Sequence, residues 1–203
     1  MLYAVLLENF CMRKIILFLF FVFVAMSGEG QQDTSLINRL RSVLNFTKLK
    51  QLDKVMDYTY PKVFTVVSRE QLGEIMKSMY ETDEFSTDLD SVNIDTIFTI
   101  VKINDARYAI ARHSMLMKMK YKDPVDSKDI DLLVQGVEQQ YGEGQVRFDK
   151  KANSLNISMV SYMIAVKDEL SPKWTFMNFD LTNPGFVELI LGKEVMAKLK
   201  EYN

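Results

Sequence analysis

The sequence predicts an α+β fold, with a curved antiparallel sheet of about five strands packed on N-terminal helices in the order ααββαβββα. Apolar residues spaced three and four apart indicate two helices before residue 81. Segments rich in β-branched and aromatic residues follow, and cap and stop signals bracket one helix between them. Helices grouped beside antiparallel strands are typical of the α+β class.

The N-terminal helices follow from spacing and capping signals. Segment 35–58 is predicted as an amphipathic helix with an interruption near Phe46, and Pro61 ends it. Ser68 followed by Gln71 is a capping-box pattern, which begins a second helix over Arg69–Tyr80.

A hairpin is predicted next. The acidic segment 81–95 carries turn residues and is interpreted as a loop. Strands over 94–103 and 107–121 follow, and Asn104 and Asp105 form the turn that pairs them.

The remaining elements begin with a third helix, which Ser127 is predicted to cap and Gly142 to end. Three closing strands are predicted over 145–149, Ser154–Lys167 and 173–179. A helical turn over 186–191 and a terminal helix over Lys193–Glu201 follow.

Residues 12–30 are predicted to be a secretory signal peptide. Arg13 and Lys14 precede an apolar run over 15–26, and small residues follow from Ser27. The run is shorter than the roughly 20 residues that a membrane-spanning helix needs, so we expect no stable membrane anchor after signal removal.

Met12 stands directly before the basic pair, so we interpret it as the natural start and residues 1–11 as an upstream-start extension. The exported part would then be a single α+β domain over 31–203. The chain has one cysteine, Cys11, whose loss would leave a domain without disulfides. We therefore expect a secreted or periplasmic protein of a bacterial envelope.

Composition excludes several function classes. The 203 residues include 25 Lys and Arg against 27 Asp and Glu, and the formal net charge is −2. That balance lacks the positive surplus that phosphate contacts need, so we expect no nucleic-acid partner. One cysteine and one histidine exclude cysteine-rich zinc sites. The chain has no phosphate-cradling glycine loop and no Gly-x-Ser-x-Gly elbow, so we expect no cofactor and no serine hydrolase.

Asp57, Tyr58 and Tyr60 are candidate catalytic residues, because they stand together just before Pro61. A carboxylate and a phenol in an apolar pocket can act as general acid and base when burial shifts their pKa values. The same neighbourhood is also typical of caps and turns, so catalysis and a structural role both stay open.

Four residues that alternate along the predicted strand 107–121 and share one face are candidate metal ligands: His113, Met115, Met117 and Met119. Imidazole and thioether are ligands that suit copper. Neighbours in this row are about 6.6 Å apart, so other strands would have to help bind one ion. The alternative is an apolar stripe of flexible side chains that fills a curved core.

The order of the elements carries a family resemblance. Two N-terminal helices, a hairpin, a crossing helix and closing strands with Trp174, Phe176 and Phe179 resemble the nuclear transport factor two-like and ketosteroid isomerase-like families of the cystatin-like superfold. The resemblance implies a sheet that wraps a long helix, a pocket at the open end of this cone, and homodimers formed through the sheet. The Trp-x-Phe strand and short Lys-rich helix are also similar to those of many uncharacterised exported proteins of Bacteroidetes-type bacteria, which implies localisation only.

Together these observations predict an exported, non-catalytic binding or interaction module of the bacterial envelope, with a small apolar ligand or a protein as partner. Two alternatives stay open. One is a small cone-fold enzyme of isomerase or dehydratase type that uses a Tyr/Asp pair, and the other is a copper-handling protein that uses the His/Met row.

Overall fold

The computed structural model describes residues 33–201, so the predicted extension over 1–11 and signal peptide over 12–30 lie outside the described residues. The described residues confirm the α+β class: a six-stranded antiparallel sheet packs against helices. Within residues 33–201, no helix has both the length and the apolar character needed to cross a bilayer.

In the described part of the chain, four helical segments come before the sheet. They are α1 (Thr34–Lys48), α2 (Leu52–Asp57), a 3-10 turn (Pro61–Thr65) and α3 (Arg69–Tyr80). The helix predicted over 35–58 is thus two helices, and the break follows Lys48 rather than Phe46. The amide of Gln51 donates to the carbonyl of Phe46 in the first helix, and Lys50 adopts a left-handed φ of 55°. This is the Schellman pattern that ends helices, with a lysine where glycine is usual.

Helix α3 begins and ends where its capping signal predicts. The Ser68 hydroxyl accepts from the Gln71 amide at 3.1 Å, and the Gln71 side chain accepts from the Ser68 amide at 3.0 Å. Both bonds are local in sequence, which explains why a four-residue pattern is enough to predict this start.

The strand predicted over 94–103 is divided between two strands, so three strands rather than two come before the next helix, while the other strands and later helices follow in the predicted order. The elements are β1 (Phe85–Ile97), β2 (Val101–Ile103), β3 (Ala106–Tyr121), α4 (Ile130–Tyr141), β4 (Val146–Asp149), β5 (Ser154–Lys167), β6 (Thr175–Phe179), α5 (Gly185–Leu191) and α6 (Lys193–Glu201). Helix α4 begins after Asp129, which makes no side-chain capping bond, so the predicted cap at Ser127 is two residues early.

Strand β1 is the main difference from the prediction, because the segment interpreted as an acidic loop is mostly strand. It pairs antiparallel with β3, and Asp88 faces Lys118 across the pair. The register shifts between Leu89 and Ser91 and again between Ile94 and Thr96. Such bulges bend a strand, and cross-strand charge pairs offset the low strand propensity of aspartate.

Two long central strands organise the sheet. Strands β3 and β5 pair continuously from Arg107 with Lys167 to Lys120 with Ser154. Strands β1 and β2 pair with the outer edge of β3, while β4 and β6 pair with the outer edge of β5.

Side-chain alternation gives the sheet two faces with different covers. Odd-numbered residues of β3 and β5 face α1 at one end, in an α1 cluster that includes Leu40, Ala111 and Trp174. Farther along the same face, an α4 cluster includes Leu155 and Ile157. The even-numbered face packs against α5 and α6 in a third, C-terminal cluster. Toward the other end of that face, the side chains are half-buried or exposed from Arg112 onward: Arg112, Ser114, Leu116, Lys118 and Lys120.

We expect Leu40→Ala to lower the free energy of unfolding by about 2–5 kcal/mol, because this leucine of α1 is fully buried against the sheet. The matched control is Leu132→Ala on α4, since Leu132 is 73% exposed and should change stability by no more than about 0.5 kcal/mol. Urea denaturation measures both values. Equal losses in the two variants would contradict the packing of α1 on the sheet.

Candidate functional site

A groove of about 1180 Å³ lies between α2 and α3. We call it the α2–α3 groove. It is lined by Lys50, Gln51, Leu52, Asp53, Lys54, Met56, Arg69, Glu70, Gly73, Glu74, Lys77, Tyr80 and Glu81. The residues come from the start of α2, from one flank of α3 and from the turn between α1 and α2, so three local structures shape it.

The floor of the groove depends on a close approach between the two helices. Met56 is buried, and a Cβ added to Gly73 would lie only 3.0 Å from its Cε atom. A glycine in the middle of a helix costs roughly 0.5–1 kcal/mol relative to alanine. Glycine at this position leaves room for the Met56 methyl group, which is the end of a flexible side chain and would have to shift by a few tenths of an ångström to admit a Cβ.

The walls of the groove carry both charge signs. Lys50, Asp53 and Lys54 come from the α2 side, and the α3 side supplies five charges. Those five are Arg69, Glu70, Glu74, Lys77 and Glu81. Eight of the thirteen lining residues are therefore charged, in equal numbers of each sign, so the groove favours a ligand that itself carries both signs.

Most of these wall charges already have exposed partners. Arg69 bonds Asp57 at 2.6 Å, Lys77 bonds Glu74 at 3.0 Å, and Glu81 bonds Lys122 at 2.8 Å. Exposed ion pairs contribute only about 0–1 kcal/mol each, so a charged ligand can replace them at little cost.

One corner of the groove is held in place by several contacts. Lys50 keeps its left-handed backbone while its ammonium bonds Asp88 at 2.6 Å and lies 5.4 Å from the Tyr80 ring centroid. The Tyr80 hydroxyl donates to the Thr47 carbonyl at 2.9 Å. Burial raises the pKa of Tyr80, so the phenol keeps the proton that this bond requires. Unusual backbone conformations persist only where surrounding contacts hold them.

The structure separates the three candidate catalytic residues. Asp57 is exposed and accepts from Arg69 at 2.6 Å. Tyr58 packs edge-on against Phe46, with ring centroids 5.6 Å apart. The Arg39 guanidinium lies over the Tyr58 ring, 4.2 Å from the ring centroid. Asp57 and Tyr58 therefore have partners of their own and do not form a pair.

Tyr60 does meet a carboxylate, but a different one from the neighbour that the sequence suggested. Its hydroxyl donates to Asp168 at 2.6 Å, and Tyr108 lies near the same carboxylate. Burial, followed by the bond to Asp168 and its charge, raises the pKa of Tyr60. Tyr60 is 1% exposed, Asp168 is half-buried, and Tyr60 does not line the α2–α3 groove, so the described structure shows this pair as a partly buried contact outside the groove.

The histidine and methionine row is spread over two clusters. His113 to Met119 spans about 20 Å along β3, which is too far for one ion to contact both ends. Met117 and Met119 pack in the α4 cluster, and the Met119 sulfur lies 3.7 Å from the Tyr121 hydroxyl that donates to it. Met115 lies between that cluster and His113.

His113 has an unusual environment. It is 2% exposed, and its Nδ1 atom has no hydrogen-bond partner in the described structure. An unpaired buried polar atom costs about 1–3 kcal/mol. Burial lowers the pKa of His113, against a smaller opposing effect of the Asp95 charge, so the imidazole is neutral at pH 7.

Among residues 33–201, no group of three or more histidine, cysteine, aspartate or glutamate side chains stands close enough together to bind a metal ion.

Comparisons with known proteins returned no matching family model, no matching curated protein and no matching solved structure. The cone-fold resemblance therefore stays an expectation.

One residue of α3 is a sequence signal for the α2–α3 groove. Gly73 interrupts an otherwise helical apolar pattern, and a conspicuous glycine inside a helix often has a packing reason. No comparable signal marks Asp168 as the partner of Tyr60, because 108 residues separate them.

We expect the free energy of unfolding to fall as the pH drops below about 6.5, because the unfolded chain binds a proton at His113 that the folded chain excludes. In His113→Leu this contribution is gone, so the stability difference between pH 7.5 and pH 5.5 should shrink. Urea denaturation at the two pH values measures it. Met115→Leu is the control and should keep the wild-type difference; the same difference in His113→Leu would contradict the prediction.

At alkaline pH we expect the free energy of unfolding to change with pH in the opposite direction. The pKa of Tyr60 is raised in the folded state, so stability should fall as the pH rises above about 10, where the unfolded phenol ionises first. Tyr60→Phe should weaken this fall and should cost about 1.5–3 kcal/mol at pH 7 through the lost bond to Asp168. Urea denaturation at pH 7 and pH 11 measures both effects. A neutral-pH loss no larger than that of Tyr162→Phe would count against the bond.

Proposed function

We propose that this chain is an exported, non-catalytic binding module, and that the α2–α3 groove receives an extended peptide segment of a partner protein in the bacterial envelope. The peptide would carry acidic and basic side chains around one or two apolar ones. The groove itself carries the proposal: a channel of about 1180 Å³ whose charges of both signs border a floor that includes Met56 and Tyr80.

The lining favours a peptide over a small apolar ligand. Pockets for small molecules usually have volumes of about 300–1,000 Å³ and are lined mainly by hydrophobic side chains. This groove is larger, and eight of its thirteen lining residues are charged. A peptide can place its own charges against both walls while its apolar side chains reach Met56 and Leu52.

The contacts described above also limit what binding costs. The Met56–Gly73 contact and the Tyr80–Thr47 bond fix the floor before any ligand arrives. A site that is already ordered loses less conformational freedom on binding. At the rim, the exposed ion pairs can exchange partners, so specificity comes from the pattern of charges on the peptide.

The export part of the proposal is supported by the basic, apolar and small residues in order over 12–30, and by the lack of cysteine after Cys11. A chain expressed from Met12 and recovered from the periplasm provides the material for the binding test. Its intact mass reports whether residues 12–30 have been removed.

Binding is tested by selecting random displayed dodecapeptides on the wild-type protein and measuring the affinities of the selected sequences. We expect Glu70→Lys combined with Glu74→Lys to weaken their binding by at least about tenfold, because the α3 wall then repels their basic side chains. NMR shift changes in the wild type should centre on Met56, Gly73 and Tyr80.

The matched control reverses two exposed charges outside the groove, Glu143→Lys with Glu169→Lys, and so adds the same net charge. This variant should bind the selected peptides as the wild type does. Failure to enrich any peptide, equal weakening in both double variants, or shift changes elsewhere on the protein would each overturn the groove as the binding site.

A further inference from the structure

The pairing of β3 with β5 surrounds His113 with thioethers from both strands. His113 faces Ser161, Met115 faces Met159, and Ala111 faces Met163. Met159 and Met163 are thus the two diagonal neighbours of His113 on the adjacent strand. All of these residues are odd-numbered in a continuous register, so they share the face that carries α1 and α4.

The spacing allows these side chains to meet. Diagonal neighbours on paired strands lie roughly 7–8 Å apart, within reach of long side chains. The residues between the methionines are small: Ser161 opposite the imidazole, and Ala111 opposite Met163. Unbranched methionine side chains can therefore bend over these positions toward the ring of His113.

The imidazole itself points to a ligand. His113 is 2% exposed, and its Nδ1 atom has no hydrogen-bond partner in the described structure. Met163 is 8% exposed and belongs to the α1 cluster, while Met115 and Met159 are half-buried, so an ion can enter from the side of Met115 and Met159.

We propose that His113, Met115, Met159 and Met163 form a binding site for one Cu(I) ion. Thioether sulfur and imidazole nitrogen are the ligand types that select this soft ion. All four ligands are neutral, which favours a monovalent ion, because desolvating a divalent one without a bound anion is far more costly.

This ligand set differs from the row along β3 in a way that can be tested. Met117 and Met119 lie on the same strand and the same face, but they pack in the α4 cluster. The Met119 sulfur accepts a hydrogen bond from Tyr121. Along β3 these two methionines lie roughly 13 and 20 Å from His113, which is too far to share its ion, so they provide matched controls with identical chemistry.

The experiment uses the purified chain with Cu(I), kept reduced with ascorbate under anaerobic conditions, in competition with a chromophoric Cu(I) chelator. We expect one ion per chain. Met115→Leu with Met159→Leu should weaken binding by at least about tenfold, and His113→Leu should do the same. Met117→Leu with Met119→Leu should leave the affinity unchanged. Leucine and methionine are similar in volume, so the variants keep the packing.

X-ray absorption of the copper-loaded wild type gives a readout that does not depend on any variant. It should show both nitrogen and sulfur scatterers around one metal ion. The proposal is overturned if the wild type retains no copper, if only nitrogen and oxygen scatterers appear, or if the two double methionine variants lose affinity equally.

Discussion

The pairing of β3 with β5 is the interaction on which the rest of the structure depends. Every other strand attaches to one of these two, on the outer edge of the pair. Because the register has no bulge, odd and even residues keep to opposite faces for the whole length of both strands. A slip by one residue would exchange the faces that pack against α1 and against the C-terminal helices.

The two proposed binding regions use this arrangement in different ways. The α2–α3 groove lies between helices and is shaped by the Gly73–Met56 contact and by the left-handed backbone of Lys50. Its ion pairs are exposed, so its charges can exchange partners at the surface. The site around His113 lies on the sheet itself, at the border of the α1 cluster, which includes Met163, on the side toward the α4 cluster. The groove is a charged surface on short helices, whereas the proposed copper ligands are positioned by strand register. A substitution that abolishes binding in one region should therefore leave the other region intact.

Local signals allowed the sequence to predict much of the fold. The capping box of α3, the turn at Asn104 and the bounds of β5 depend on neighbouring residues. Strand β1 was misread because its aspartates disfavour strands, and only its pairing with β3 overrides that preference. The partner of Tyr60 and the methionines of β5 beside His113 depend on tertiary register. No window of sequence contains them, although the alternation on β3 did single out His113 and Met115.

The segment between α2 and the 3-10 turn has a consequence for the order of folding. Tyr60 donates its amide to Phe176, and Phe176 donates to Tyr58, so this early segment lies beside the last strand. Arg39 of α1 likewise donates to the Trp174 carbonyl, 135 residues away in sequence. Such distant contacts carry a loop-closure cost and slow folding. The nascent chain therefore cannot complete its core until β6 has been synthesised.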